Sequence, residues 1–323
     1  MKRIVHCLLI VTLSLGLANA YAADPFPNKP IRIVSPFSAG GTNDFLARLS
    51  GSILGDAFGQ TTVVENRLGA GGVIGSNMVA QASADGYTLL LGSISTHSIG
   101  PTIYSKLPYD ISTNFTPISI VADVPLVLVV HPSVAAKTLP ELLALIQKQP
   151  SKFNYASSGA GTIPHMTGEL FKTMTKTDIT HVAYKGDSLA ITDLVSGQVQ
   201  MMFANLPSAI NFVRQGQMRA IAVAGKTRSP ALPDVPTMHE SGVPGFDVTG
   251  WYALFGPGNM PIDVVNTLNT EIVKGLRKPE IQAKIRAQGA EPVGNTVKEF
   301  TTFLAADQAK WKRTAATTGI KLD

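Results

Sequence analysis

The stretch Ile31-Arg32-Ile33-Val34-Ser35-Pro36-Phe37-Ser38-Ala39-Gly40-Gly41-Thr42 decides the fold class. Its β-branched opening reads as a strand, its glycines as a tight turn, and residues 42–58 continue as an amphipathic helix. Another strand, glycine turn and helix of the same kind begins at Tyr155-Ala156-Ser157-Ser158-Gly159-Ala160-Gly161-Thr162 and runs into a helical pattern over 163–174. Working outward, strands are expected at 62–64 and 87–91 with a helix at 74–82 between them. A later series has a helix at 139–147 and strands at 179–184, 199–203 and 220–224. Strands alternating with helices imply an α/β fold around a parallel sheet. The rhythm breaks at 115–132, where apolar runs at 118–121 and 126–130 follow each other with no helix between, and 251–255 reads as another strand. Helical patterns at 262–276 and 297–314 close the chain. Two α/β series joined by extended segments suggest two lobes with crossover strands, and a ligand site in the cleft between them.

The glycine turns suggest what that cleft holds. Glycine leaves backbone N–H groups unshielded, and the first N–H groups of a helix lack intrahelical partners and carry partial positive charge. The loops 35–42 and 155–162 therefore read as two anion sites from opposite halves, with Ser157, Ser158 and Thr162 adding hydroxyls and Thr162 placed to cap its helix. Ser93, Ser95 and Thr96 end a third strand, beside His97. Asp44, in the first helical turn, either complements the helix dipole or meets a ligand through water, an ammonium or a hydroxyl. His97, His165 and His181 are either donors to an anion or packed residues; Tyr184 walls the cleft or packs; Lys185 reads as a solvated loop charge, and Trp251 and Tyr252 as core.

Composition removes other classes. The chain has 323 residues, 45% apolar and 15% charged, which excludes disorder, and its net charge of +5 shows no patch of the kind a nucleic-acid binder needs. Lys2 and Arg3, the apolar run 7–17 and the small residues Ala18, Ala20 and Ala22 form an export leader, too short to span a membrane. Cleavage after Ala22 removes Cys7, the only cysteine, so thiol and disulfide chemistry leave with it. A nucleophile elbow and a phosphate loop are absent: Gly225-Lys226-Thr227 has Ala220 where the first glycine belongs. His165 and Glu169 stand one helical turn apart, but further metal ligands are few, so neither metal nor cofactor is expected.

At these same residues the sequence resembles the Bug-type periplasmic solute-binding receptors of tripartite tricarboxylate transporters. The similar stretches include Pro36-Phe37-Ser38-Ala39-Gly40-Gly41 with Asp44, Val64-Glu65-Asn66-Arg67, Asp85-Gly86-Tyr87-Thr88, Tyr155 to Gly161 with His165, His181 to Gly186, and Leu232-Pro233-Asp234-Val235-Pro236. Ala183 departs from the proline usual there. The resemblance implies a two-lobed type II periplasmic binding protein fold, with the ligand in the inter-lobe cleft. Its expected parts are a signal peptide at 1–22, lobe 1 at 23–124 plus 230–323, and lobe 2 at 125–229. It implies ligand contacts from Phe37, Ser38, Ala39, Gly40, Gly41, Asp44, Ser95, Thr96 and His97 on one side. Across the cleft it implies Ser157, Ser158, Gly159, Gly161, Thr162, His165, Tyr184, Gly186 and Asn205. The implied activity is capture of a small di- or tricarboxylate, aliphatic or aromatic, by a periplasmic monomer that delivers it to integral-membrane permease subunits, without catalysis. The alternatives are an exported serine hydrolase using Ser158 or Ser95 with His165 or His181, and a ligand-sensing subunit of a membrane signalling system.

Overall fold

The computed structural model describes residues 26–318 and 321–322, so the expected leader lies outside the described residues. Strand β1 (Ile31–Ser35) is almost wholly buried, as a strand covered on both faces must be. After the glycine turn, α1 (Thr42–Phe58) runs back along the sheet until Gly59 takes the left-handed conformation, φ 64°, and its N–H closes on the Gly55 carbonyl. Strands β2 (Thr62–Asn66) and β3 (Thr88–Ser93) flank β1, both parallel to it, with α2 (Val73–Ala80) between them in the chain.

The two runs read as separate strands form one strand of 16 residues, β4 (Phe115–Val130). Pro117 and Pro125 bar a helix there, and an almost continuous apolar run suits a strand covered on both sides. Helix α3 (Leu139–Lys148) starts at Thr138, whose hydroxyl accepts the Glu141 N–H while Glu141 accepts the Lys137 N–H. The second series follows: β5 (Asn154–Ser157), α4 (Ile163–Thr175), β6 (Thr180–Ala183), α5 (Asp187–Val195), β7 (Met201–Asn205), α6 (Leu206–Arg214) and β8 (Arg219–Val223). Here β5 sits between β6 and β7, parallel to both. The chain closes with β9 (Thr249–Pro257), α7 (Ile262–Leu276), α8 (Pro279–Ala287), β10 (Glu291–Pro292) and α9 (Val297–Thr318).

The spatial order is β2-β1-β3-β9-β4-β7-β5-β6, with β8 and β10 also paired to β4. The sheet is therefore mixed: two parallel triplets, one per lobe, are joined through β4 and β9, which run antiparallel to their neighbours. Strand β4 pairs with β9 as far as Pro125 and with β7 from Leu126 onward, so a residue without an N–H falls where the ladder changes partner. Between β8 and β9 the chain stays on β8: Val223 N–H donates to Pro236 O, Met238 N–H to Val223 O, and Val248 N–H to Ala224 O.

One buried cluster runs from Val34 and Phe255 in the first lobe to Tyr155, Phe171 and Phe203 in the second. Others fill the space under α1 and α7 and under α5 and α6. Each large apolar side chain so buried contributes roughly 1.5–3 kcal/mol. Helices α1 and α7 approach so closely that a Cβ on Gly275 would lie 2.1 Å from Ile53. Helices α5 and α6 were not anticipated. Both are short, yet their buried residues keep helical spacing: Asp187, Ala190, Ile191 and Leu194, then Leu206, Ala209 and Ile210.

Candidate functional site

The parallel triplets direct their carboxyl ends into one cleft, and the helical segments that follow begin there. Gly41 precedes α1, Ser95 opens a short helical turn after β3, Ser158 leads towards α4, Asp187 opens α5 and Asn205 precedes α6. These residues, with Phe37, Thr42, Asn43 and Tyr252, enclose a small cavity. It has room for about one water. The lobes are closed on each other around it. Ser188 Oγ donates to the Ala39 carbonyl at 2.8 Å and lies 2.7 Å from Ser38 Oγ, Ile163 N–H donates to Ser95 Oγ at 3.0 Å, and Tyr104 OH donates to the Ala160 carbonyl at 3.0 Å. Gly186 meets the first lobe so tightly that a Cβ there would stand 2.1 Å from Ser38 Oγ.

Several anticipated residues hold this wall rather than face the cavity. The Asp44 carboxylate accepts from the Gly40 N–H, Arg48 Nε and Asn66 Nδ2, each at 3.0 Å. Burial opposes its ionisation, but the bonds from Arg48, Gly40 and Asn66 outweigh burial and hold its pKa below the usual carboxylate value. Thr162 does not cap α4: its hydroxyl turns back to the Gly159 carbonyl at 2.7 Å, and Ser95 of the first lobe takes the Ile163 N–H instead. Ser157 Oγ accepts the Gly159 N–H at 3.1 Å and lies 2.6 Å from His181 Nε2. His165 Nδ1 accepts the Gly161 N–H at 3.1 Å, and its ring stacks on His181 at 4.0 Å. Burial lowers the pKa of His165, and burial with the neighbouring His165 brings His181 down to about 3. His97 is fully buried, stacked on Phe255 at 3.8 Å, and burial lowers its pKa to about 3; Thr96 is spent on Ser93 and His97. Tyr184 points away to Asp193 at 2.6 Å.

The cavity wall therefore takes Phe37, Gly41, Ser95, Ser158 and Asn205 from the anticipated set and adds Thr42, Asn43, Asp187 and Tyr252. Trp251 and Tyr252 both pack in buried clusters as read, and Tyr252 also reaches the cavity wall. Asp187 carried one local signal that the sequence reading missed, an acid directly after the glycine of Tyr184-Lys185-Gly186. Neither Ser95 nor Ser158 hydrogen-bonds a histidine, and among the described residues no group of three or more His, Cys, Asp or Glu side chains is placed to hold a metal. No described helix is long and apolar enough to cross a membrane.

Comparison with known proteins places relatives beside this geometry. Residues 46–320 match the family described as the tripartite tricarboxylate transporter family receptor. Protein BugT of Bordetella pertussis is 36% identical over 323 residues, covering 100% of this chain and 99% of its own. The structure of R. palustris Rpa4515 with adipate superposes with a TM-score of 0.89 at 35% identity, over 92% of this chain and 99% of that one. MatC from Rhodopseudomonas palustris with bound malate gives 0.85 at 30% identity, over 89% of this chain and 99% of that one.

Proposed function

Because the chain belongs to the tripartite tricarboxylate transporter receptor family, we infer that it is a periplasmic receptor that captures a small carboxylate by lobe closure and hands it to membrane permease subunits. The observation that carries this reading is the convergence of helix N-termini and hydroxyls from both lobes on one buried cavity. Unpaired N–H groups and the positive ends of helices favour an anion there without any cationic side chain. Solved relatives holding adipate and malate support a dicarboxylate as the ligand class.

In this reading the ligand lies between Gly41–Asn43 and Ser95 on one side and Ser158, Asp187 and Asn205 on the other, while Asp44, Thr162, His165 and Gly186 shape the loops. On the same reading lobe 1 takes the described residues from 26 to 124 and the chain from β9 onward, and lobe 2 begins at 125. The hydrogen bonds that tie the segment before β9 to β8 support assigning that segment to lobe 2 in this reading, beyond the boundary at 230 expected from the sequence. Closure buries the ligand, and the permease recognises the closed shape.

A thermal-shift series of mono-, di- and tricarboxylates, with sugars and simple cations as controls, tests the reading. A ligand of the folded state raises the melting temperature by mass action. A rise with at least one carboxylate class is expected. No rise with any carboxylate, beside a rise with sugars or cations, defeats it.

A further inference from the structure

The cavity contains a group that does not suit a bare dianion. Asp187, 4% exposed, opens α5 on the second lobe and lines the cavity, and no cationic side chain lines it. Its carboxylate accepts from Asn205 Nδ2, which lies 3.0 and 3.2 Å from its two oxygens. The Thr42 amide and hydroxyl bear on it from the first lobe and Ser208 from its own side. Every neighbour is a donor and none is an ion, so hydrogen bonds and the starts of α1 and α5 solvate Asp187 with no cationic side chain beside it. Burial raises its pKa, and the donors around it act against that rise.

A second observation is independent of the charge. With its amide nitrogen committed to Asp187, Asn205 must present Oδ1 elsewhere, and this oxygen has no partner although the residue is 1% exposed. Buried polar atoms without partners are rare, and each calls for an explanation. Here an unpaired acceptor and a carboxylate without a cationic side chain beside it meet at the same small space.

We propose that the ligand is a small carboxylate that also bears an ammonium group, received by the Asp187 carboxylate and Asn205 Oδ1 of the second lobe. An ammonium offers three donors and one positive charge, which matches an acceptor pair that includes an anion. A hydroxyl in its place has one donor for two acceptors and brings no positive charge to the buried carboxylate. The ligand's carboxylate then meets the start of α1 beyond Thr42, whose N–H bears on Asp187, and the hydroxyls of Ser95 and Ser158. This inference rests on the carboxylate-receptor reading and narrows its ligand class.

The test uses calorimetric titration of the full mature chain with pairs that differ in one group: succinate, malate and aspartate, then glutarate and glutamate, with adipate as a longer reference. The amino-substituted member of each pair should bind at least about tenfold more tightly, as hydrogen bonds to a charged group imply. Asp187→Asn, nearly isosteric, should remove that preference and bind plain dicarboxylates as well as or better than the parent chain. Equal affinity for paired members in the parent chain overturns the proposal while leaving the carboxylate reading intact, and needs no variant. An unchanged preference in Asp187→Asn also overturns it. Binding of none of these compounds removes the carboxylate reading and the proposal together.

Discussion

At the scale of single residues, the glycines and histidines do different work. Gly186, at φ 139° and ψ 167°, occupies a region that essentially only glycine tolerates, and it abuts Ser38 of the other lobe. Gly186→Ala is expected to cost about 1–3 kcal/mol of backbone strain and to hold the lobes apart. Ligand affinity should fall more than tenfold while circular dichroism still reports the native fold. His97 carries a pH signature. Burial holds its pKa at about 3, whereas the unfolded chain's histidine titrates near 6.5. Between those values the unfolded state binds the extra proton, so stability falls as pH falls, by up to about 1.4 kcal/mol per pH unit. His97→Phe, set between Phe115 and Phe255, should lose less melting temperature from about pH 7 to about pH 5 than the parent chain does. An equal loss in both would mean that His97 is not the source.

At the scale of elements, helix starts carry the structure and the site alike. Thr296 and Glu299 cap α9 reciprocally: Glu299 N–H donates to Thr296 Oγ1 at 3.2 Å, and Thr296 N–H to Glu299 Oε2 at 2.9 Å. Thr296→Ala should destabilise the protein by about 1 kcal/mol in chemical denaturation, without changing ligand affinity. Ser95→Ala removes a cap of a different kind, since its hydroxyl serves a helix in the other lobe only when the cleft is closed. Its expected effect is therefore weaker ligand binding. The glycine turns before α1 and α4 were legible because glycine's backbone freedom is local. Helices α5 and α6 were not read, because nine residues hold too little of the helical period to stand out beside neighbouring apolar strands.

At the scale of the whole molecule, the closed cleft makes a geometric prediction. Ser38 and Ser188 place their hydroxyl oxygens 2.7 Å apart across the lobes, and Cys7 is the only cysteine in the sequence. A mature chain without the leader and carrying Ser38→Cys with Ser188→Cys should form a disulfide under oxidising conditions that locks the lobes shut. Oxidised, this variant should exchange ligand far more slowly than the parent; reduced, it should exchange at a comparable rate. Equal exchange in both redox states would mean that opening at this contact is not needed for entry.

What the sequence determined by itself was local: where strands give way to glycine turns, which helices start with free N–H groups, and that two such series share one chain. Strand alternation, glycine conformation and helix-end polarity are written within a few neighbouring residues. What only the tertiary structure decided was which of those groups meet. Asp187 and Tyr252 enter the cavity wall, while His97 and Tyr184 turn into packing and a side-chain bond elsewhere. Those outcomes depend on how β4 and β9 carry one lobe against the other, through pairings between residues more than a hundred positions apart, such as Phe115 with Pro257.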